Sequence, residues 1–171
     1  MKHYLKFYMQ KIFFLAISCM LFSNIHAQVS DTTPPYLKVP FVPPFKIMLT
    51  DSSNFSKANL PKDKPVVIIY LSPDCGHCKI QTKELTDSIN FVKDVFFILT
   101  SYKSLKELSE FEKTYHLKDF DNIKIGRDLK YFLPTFYNVK FTPFVAVYDK
   151  NGKLLKAFEH GFSIKELHKL L

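Results

Sequence analysis

Two kinds of apolar spacing alternate along the chain, and their periods predict its elements. "VVIIYL" at 66–71 is a continuous run rich in β-branched residues, the pattern of a central strand covered on both faces. "FKIMLT" at 45–50, "VFFILT" at 95–100 and a short stretch around Ile123 and Ile125 read as further strands. Elsewhere the spacing becomes helical. Between about Cys75 and Phe91, the residues Cys78, Leu85, Ile89 and Val92 recur at intervals of seven, four and three, which places them on one stripe of a helix. Leu105, Leu108 and Phe111 mark a second helix near 104–115, and "RDLKYFLPTFYNV" predicts a short helix broken at Pro134. "FVAVYD" (144–149) and "KLLKAFE" (153–159) flank Asn151-Gly152, a dipeptide suited to a two-residue hairpin turn. "SIKELHKLL" closes the chain as an amphipathic helix with Ser163 and Glu166 at capping-box spacing. "DSSNFSKANLPKDKP", between the first two strands, reads as a polar loop.

This order is strand, strand, helix, strand, helix, strand, helix, then a hairpin and a last helix. It predicts an α/β fold with a mixed central sheet, helices on both faces, and a C-terminal β-hairpin plus helix. The periodic part covers 45–171, the size of one ordinary domain. Residues 28–44, "QVSDTTPPYLKVPFVPP", are proline-rich and without period, and read as an extended tether. Residues 1–27 read as a signal peptide: Lys2, Lys6 and Lys11 precede any acid, "IFFLAISCMLF" is an apolar run too short to span a bilayer comfortably, and Ala27 offers a cut before Gln28. A retained membrane anchor would need a longer run and a stop-transfer flank. "AISC" loosely echoes a lipoprotein cleavage box, but Ala16 and Ile17 do not fit it and apolar residues continue past Cys19, which is assigned to the discarded leader.

Charge excludes one class of partner. The 24 basic and 16 acidic residues give +8, which becomes +5 once the three leader lysines are removed. The lysines are interleaved with acids, and Arg127 is the only arginine. No polybasic block exists to hold a phosphate backbone, so a nucleic-acid role is not expected.

Of the 3 cysteines, Cys75 and Cys78 remain after the leader. In an oxidising compartment such a pair is expected to bond. A structural staple gains by closing a long loop, and a bridge across three positions constrains almost nothing. The spacing therefore points to chemistry. Only a thiolate attacks a disulfide, and Cys75 lies where a strand ends and a helix begins, where free N–H groups and the helix dipole favour an anion. Cys78 lies one turn later on the apolar stripe. This predicts an exposed attacking sulfur at Cys75 and a sheltered resolving sulfur at Cys78, with His77 adding a cation when protonated.

"VVIIYLSPDCGHCK" resembles the active-site strand and helix of the thioredoxin superfamily, and its CGHC matches the tetrapeptide of protein disulfide isomerase catalytic domains. "VKFTPFVAVYDKNGKLLKAFEHG" is similar to the family's second signature, and the extra helix and strand within 101–138 resemble exported bacterial redoxin and cytochrome-maturation proteins. The resemblance implies a thioredoxin-like fold over 45–171, Cys75 as nucleophile, Cys78 as resolving thiol, and Pro143 as a cis-proline facing the dithiol. It also places His77 at the catalytic site and Gly76 and Thr142 against the substrate. It implies thiol–disulfide exchange, without metal or organic cofactor, with exported thiol or disulfide proteins and an envelope redox partner. The setting it implies is the periplasm or cell envelope, with membrane contact only through an uncleaved leader or a lipid anchor. The direction, reductase or oxidase and isomerase, stays open. One departure stands out: Ile69 occupies the place where many family members bury an acid that serves the resolving thiol.

Three rival readings fit the sequence less well. Zinc would need a second paired ligand spacing, and His77, His116, His160 and His168 do not supply one. A peroxiredoxin-like peroxidase would carry a threonine three positions before its cysteine, where this chain has Ser72. A non-catalytic binding module has no need of an intact CxxC.

Overall fold

In this computed structural model the described residues are 31–171 together with Tyr4, Lys6, Met9 and Lys11. The chain divides into units 1–32 and 33–171. The expectations for the leader's apolar run, Cys19, the cut at Ala27 and residues 28–30 lie outside the described residues.

Val66–Tyr70 has no polar position, so it is stable only with both faces covered; it forms β3, every residue buried, inside a seven-stranded sheet. The other strands are β1 (Lys46–Leu49), β2 (Asn54–Ser56), β4 (Phe96–Ser101), β5 (Ile123–Arg127), β6 (Phe144–Tyr148) and β7 (Leu154–Phe158). They lie in the order β2-β1-β5-β4-β3-β6-β7. β3, β4 and β5 run parallel, and the remaining pairs are antiparallel. The sheet is mixed, as the element order predicts.

The helices are α1 (Pro35–Lys38), α2 (Gly76–Asp87), α3 (Leu105–Thr114), α4 (Phe132–Tyr137) and α5 (Ile164–Leu170). Because side chains alternate along a strand, β3 feeds two cores. Val67 and Ile69 join Leu99 and Val145 against Cys78 and Leu85 of α2, Leu108 of α3 and Leu167 of α5. Val66, Ile68 and Tyr70 face the other way, against Leu133 and Tyr137 of α4. Each fully buried leucine contributes about 1.5–3 kcal/mol, and Leu85, Leu108 and Leu167 are all 0% exposed. Capping boxes at Ser104/Glu107 and Ser163/Glu166 start α3 and α5.

Five local expectations are corrected. The polar loop holds β2: Phe55 pairs opposite Ile47 and stacks between Phe45 and Phe96, at 6.4 and 6.0 Å. The extended tether is folded from Pro35 onward. Tyr36 of α1 meets Tyr137 and Phe144 edge-on, both at 5.8 Å, and Val42 N–H donates to Gly152 O at 2.9 Å beside β7. Proline spacing hides this burial from any periodic test. Pro134 does not break α4, because it falls in the first turn, where its missing N–H would have no intrahelical partner. The hairpin turn is wider than two residues: only Gly152 of the dipeptide has positive φ (+76°), and the Asp149 carboxylate accepts N–H bonds from Asn151 and Lys153 at 2.8 and 2.9 Å. Finally, α2 ends at Asp87, and a 3-10 turn over Ile89–Val92 carries its apolar stripe onward.

Candidate active site

β3 ends at Tyr70, and Leu71 N–H still reaches Thr100 O of β4 at 2.9 Å. A turn closed by Cys75 N–H to Ser72 O, 3.0 Å, then delivers Cys75 to the N-cap of α2. The cap is where the helix's unpaired N–H groups converge. Burial is the strongest influence on Cys75 and opposes its ionisation. Hydrogen bonds from the Cys78 side chain and backbone, from the Thr142 side chain and from the His77 backbone outweigh it, and the thiol ends below its ordinary value.

Cys78 sits one turn in, 1% exposed, within the apolar core below α2. Burial pushes its thiol up to about 12, with the Ser72 N–H, 3.5 Å from Sγ, offsetting this only in part. Ile69, 2% exposed, stands in the same core and offers no carboxylate. The two sulfurs are thus driven apart in acidity by position alone.

The loop before β6 lies across from them. Cys75 Sγ is 3.4 Å from Thr142 O, and the Thr142–Pro143 peptide bond is cis. Gly76 and His77 are exposed at the start of α2, and a Cβ at Gly76 would meet nothing within 4 Å. The structure therefore gathers Cys75, Gly76, His77, Cys78, Thr142 and Pro143 at one end of the sheet. His116 lies apart, 3.8 Å from Asp119. His160 stacks on the exposed Phe141, two residues before Pro143, at 5.3 Å. Among the described residues no group of three or more His, Cys, Asp or Glu is placed to hold a metal ion.

Two sets of residues escape sequence reasoning. Asp74 accepts from Ser72 Oγ and pairs with Lys103 Nζ at 2.9 Å, and these bonds, the Ser72 hydroxyl first, hold its carboxyl down at about 2. Gln81, 6% exposed, accepts the Phe162 N–H at 2.7 Å and ties α2 to the loop before α5. Gly161 in that loop has φ +91°; a Cβ there would collide with Gln81 Oε1 and lie 3.3 Å from Pro143 Cγ. A polar residue three positions after Cys78, on the buried stripe, was a signal for Gln81. Nothing local signals Lys103.

A family model described as a thioredoxin-like domain matches residues 54–171. No curated protein matches the sequence. Among solved structures, a secreted Mycobacterium tuberculosis disulfide oxidoreductase homologous to E. coli DsbE is 21% identical, covering 74% of this chain and 92% of its own, with a TM-score of 0.61. MTB DsbF is also 21% identical, over 81% of this chain and 96% of its own, with a TM-score of 0.64. A peroxiredoxin-like protein from Aquifex aeolicus is 18% identical, over 77% and 85%, with a TM-score of 0.61. At these identities the likeness shows the fold.

Proposed function

The chain belongs to the thioredoxin-like domain family, and from that premise we propose that it is a thiol–disulfide oxidoreductase acting on exported proteins through Cys75 and Cys78. The observation that carries this is the split between the sulfurs: a partly exposed thiol held below its ordinary value at a helix start, and a buried one pushed up to about 12. Such a pair has one sulfur ready to attack and one held in reserve.

In the reducing direction the Cys75 thiolate attacks one sulfur of a substrate disulfide. That S–S bond breaks, the other substrate sulfur leaves with the electron pair and takes a proton, and a mixed disulfide joins substrate to Cys75. Cys78 then gives up its proton and attacks Cys75 Sγ. The second substrate sulfur leaves as a thiol, and Cys75–Cys78 becomes a disulfide. The substrate has gained two electrons, which a dithiol redox partner must return to Cys75 and Cys78. Run backwards, the same steps oxidise a substrate dithiol. All the electrons travel in sulfur–sulfur bonds, so the scheme calls on no metal or organic cofactor.

Thr142 and Pro143, with Gly76 and His77, form the surface against which a substrate strand would lie. The basic, apolar front of the sequence supports removal of residues 1–27 and delivery to the periplasm or cell envelope. Turnover of a protein disulfide with dithiothreitol as reductant tests the activity. It should be lost in Cys75→Ser, while consumption of hydrogen peroxide in place of the disulfide would overturn the reading in favour of a peroxidase. The in-cell state of the two cysteines gives the direction: mainly reduced for a reductase, mainly oxidised for an oxidase.

A further inference from the structure

A carboxylate next to a nucleophilic cysteine is an obstacle, because negative charge opposes formation of the thiolate. Asp74 directly precedes Cys75. Its carboxylate does not stand alone. Ser72 Oγ donates to Oδ1, and Lys103 Nζ lies 2.9 Å from Oδ2.

Lys103 is itself held from several sides. Its ammonium lies 3.7 Å from Glu107 Oε1 and 5.6 Å from the centre of the Tyr102 ring. Glu107 is fixed by its own capping box, its Oε2 accepting from Ser104 N and Oγ at 2.9 and 2.7 Å. Arg127 Nε donates to Tyr102 O at 3.1 Å and anchors the connection between β4 and α3. The Lys103 side chain is 21% exposed although its partner Asp74 is 68% exposed. Parallel pairing of β3 with β4 explains the meeting, since both strands release their loops at the same end of the sheet.

Resting on the exchange reading above, we propose that Lys103 is a positioning residue of the dithiol: it holds the Asp74 carboxylate in a fork with Ser72 and cancels its charge, so that the residue before the nucleophile does not oppose the Cys75 thiolate. The other charged or titratable groups facing this corner are Lys79 on α2, Glu107 and Glu110 on α3, Tyr115 at the end of α3, and Tyr102 beneath the ammonium. If neighbouring side chains are taken as about 8 Å apart, an uncancelled carboxylate in a water-like dielectric lowers the thiolate-to-thiol ratio about two- to three-fold.

The test is the pH profile of Cys75 alkylation in the full chain, with Cys75→Ser identifying the labelled site. Lys103→Met should lower the thiolate fraction about two- to three-fold at a fixed pH below the midpoint. Lys103→Arg should keep the wild-type profile, and Asp74→Asn combined with Lys103→Met should restore it. A Lys103→Met profile identical to wild type would overturn the proposal. So would a double variant that stays as shifted as Lys103→Met alone, because Lys103 would then act on the thiol without Asp74. Chemical unfolding of each variant separates these outcomes from loss of the fold. A wild-type profile at the ordinary thiol position would sink the exchange reading itself, before any variant is compared.

Discussion

Replacing His77 with proline should make the protein more reducing, and the main reason is the backbone rather than the imidazole. His77 is the second residue of α2, and its N–H is one of the donors that favour the Cys75 thiolate. Proline is tolerated in a first helical turn, so α2 should survive while that donor is lost. A hydrogen bond to a charged group contributes about 1.5–3 kcal/mol. Cys75 is partly exposed and keeps its bonds from Cys78 and Thr142, which argues for the low end. A loss of about 1.4 kcal/mol from the reduced state lowers a two-electron potential by about 30 mV. His77→Ala keeps the N–H and removes only an exposed ring, whose charge when protonated contributes little, so its potential should move much less. Equilibration of both variants against glutathione buffers measures the potentials, and pH-dependent alkylation follows the thiol. An unchanged or higher potential in His77→Pro would show that the His77 N–H does not set the redox potential. An equal fall in His77→Ala would move the effect from the backbone to the imidazole.

Gly161→Ala should cost about 1–2 kcal/mol for its left-handed backbone, plus about 1–3 kcal/mol if the buried bond between Gln81 and Phe162 is broken. Gly152→Ala, at φ +76° with Val42 Cγ2 3.7 Å from the new Cβ, should carry only the backbone cost. Equal losses in urea unfolding would contradict the packing argument. For Cys78, the folded value of about 12 exceeds the unfolded one of about 8.5. Its contribution to stability is therefore whole below that unfolded value and is lost as pH rises toward 12. Reduced wild type should lose more stability between pH 8 and pH 10 than Cys78→Ser does, since the raised Tyr70, Tyr137 and Tyr148 act in both and cancel. Parallel curves would contradict it.

Legibility followed the range of each interaction. β3 was readable because its five residues are apolar on both faces, and the stripe of Cys78, Leu85, Ile89 and Val92 was readable because a helix repeats its own geometry. The dithiol was legible for the same reason: its two sulfurs lie one helical turn apart. β2 was not, since a three-residue strand offers one inward side chain, Phe55, and no period. Residues 35–44 were hidden by prolines that break periodicity while Tyr36 and Val42 still find the core. The Lys103–Asp74 pair joins positions separated by 29 residues, and the Gln81–Phe162 bond spans 81. Such contacts exist only once parallel strands and packed helices bring their loops together, so no spacing rule finds them. Pro134 and the Asp149 turn show a different limit: the residue type was read correctly, but its place within the element decided the outcome.

If the two sulfurs have different tasks, mass spectrometry of trapped adducts will separate them. Cys78→Ser, incubated with a protein disulfide, should accumulate a mixed disulfide through Cys75, because no second sulfur remains to release the substrate. Cys75→Ser should trap nothing at the site, since Cys78 is buried and pushed up to about 12. Adducts that form only with Cys75→Ser would reverse the assignment and contradict the account.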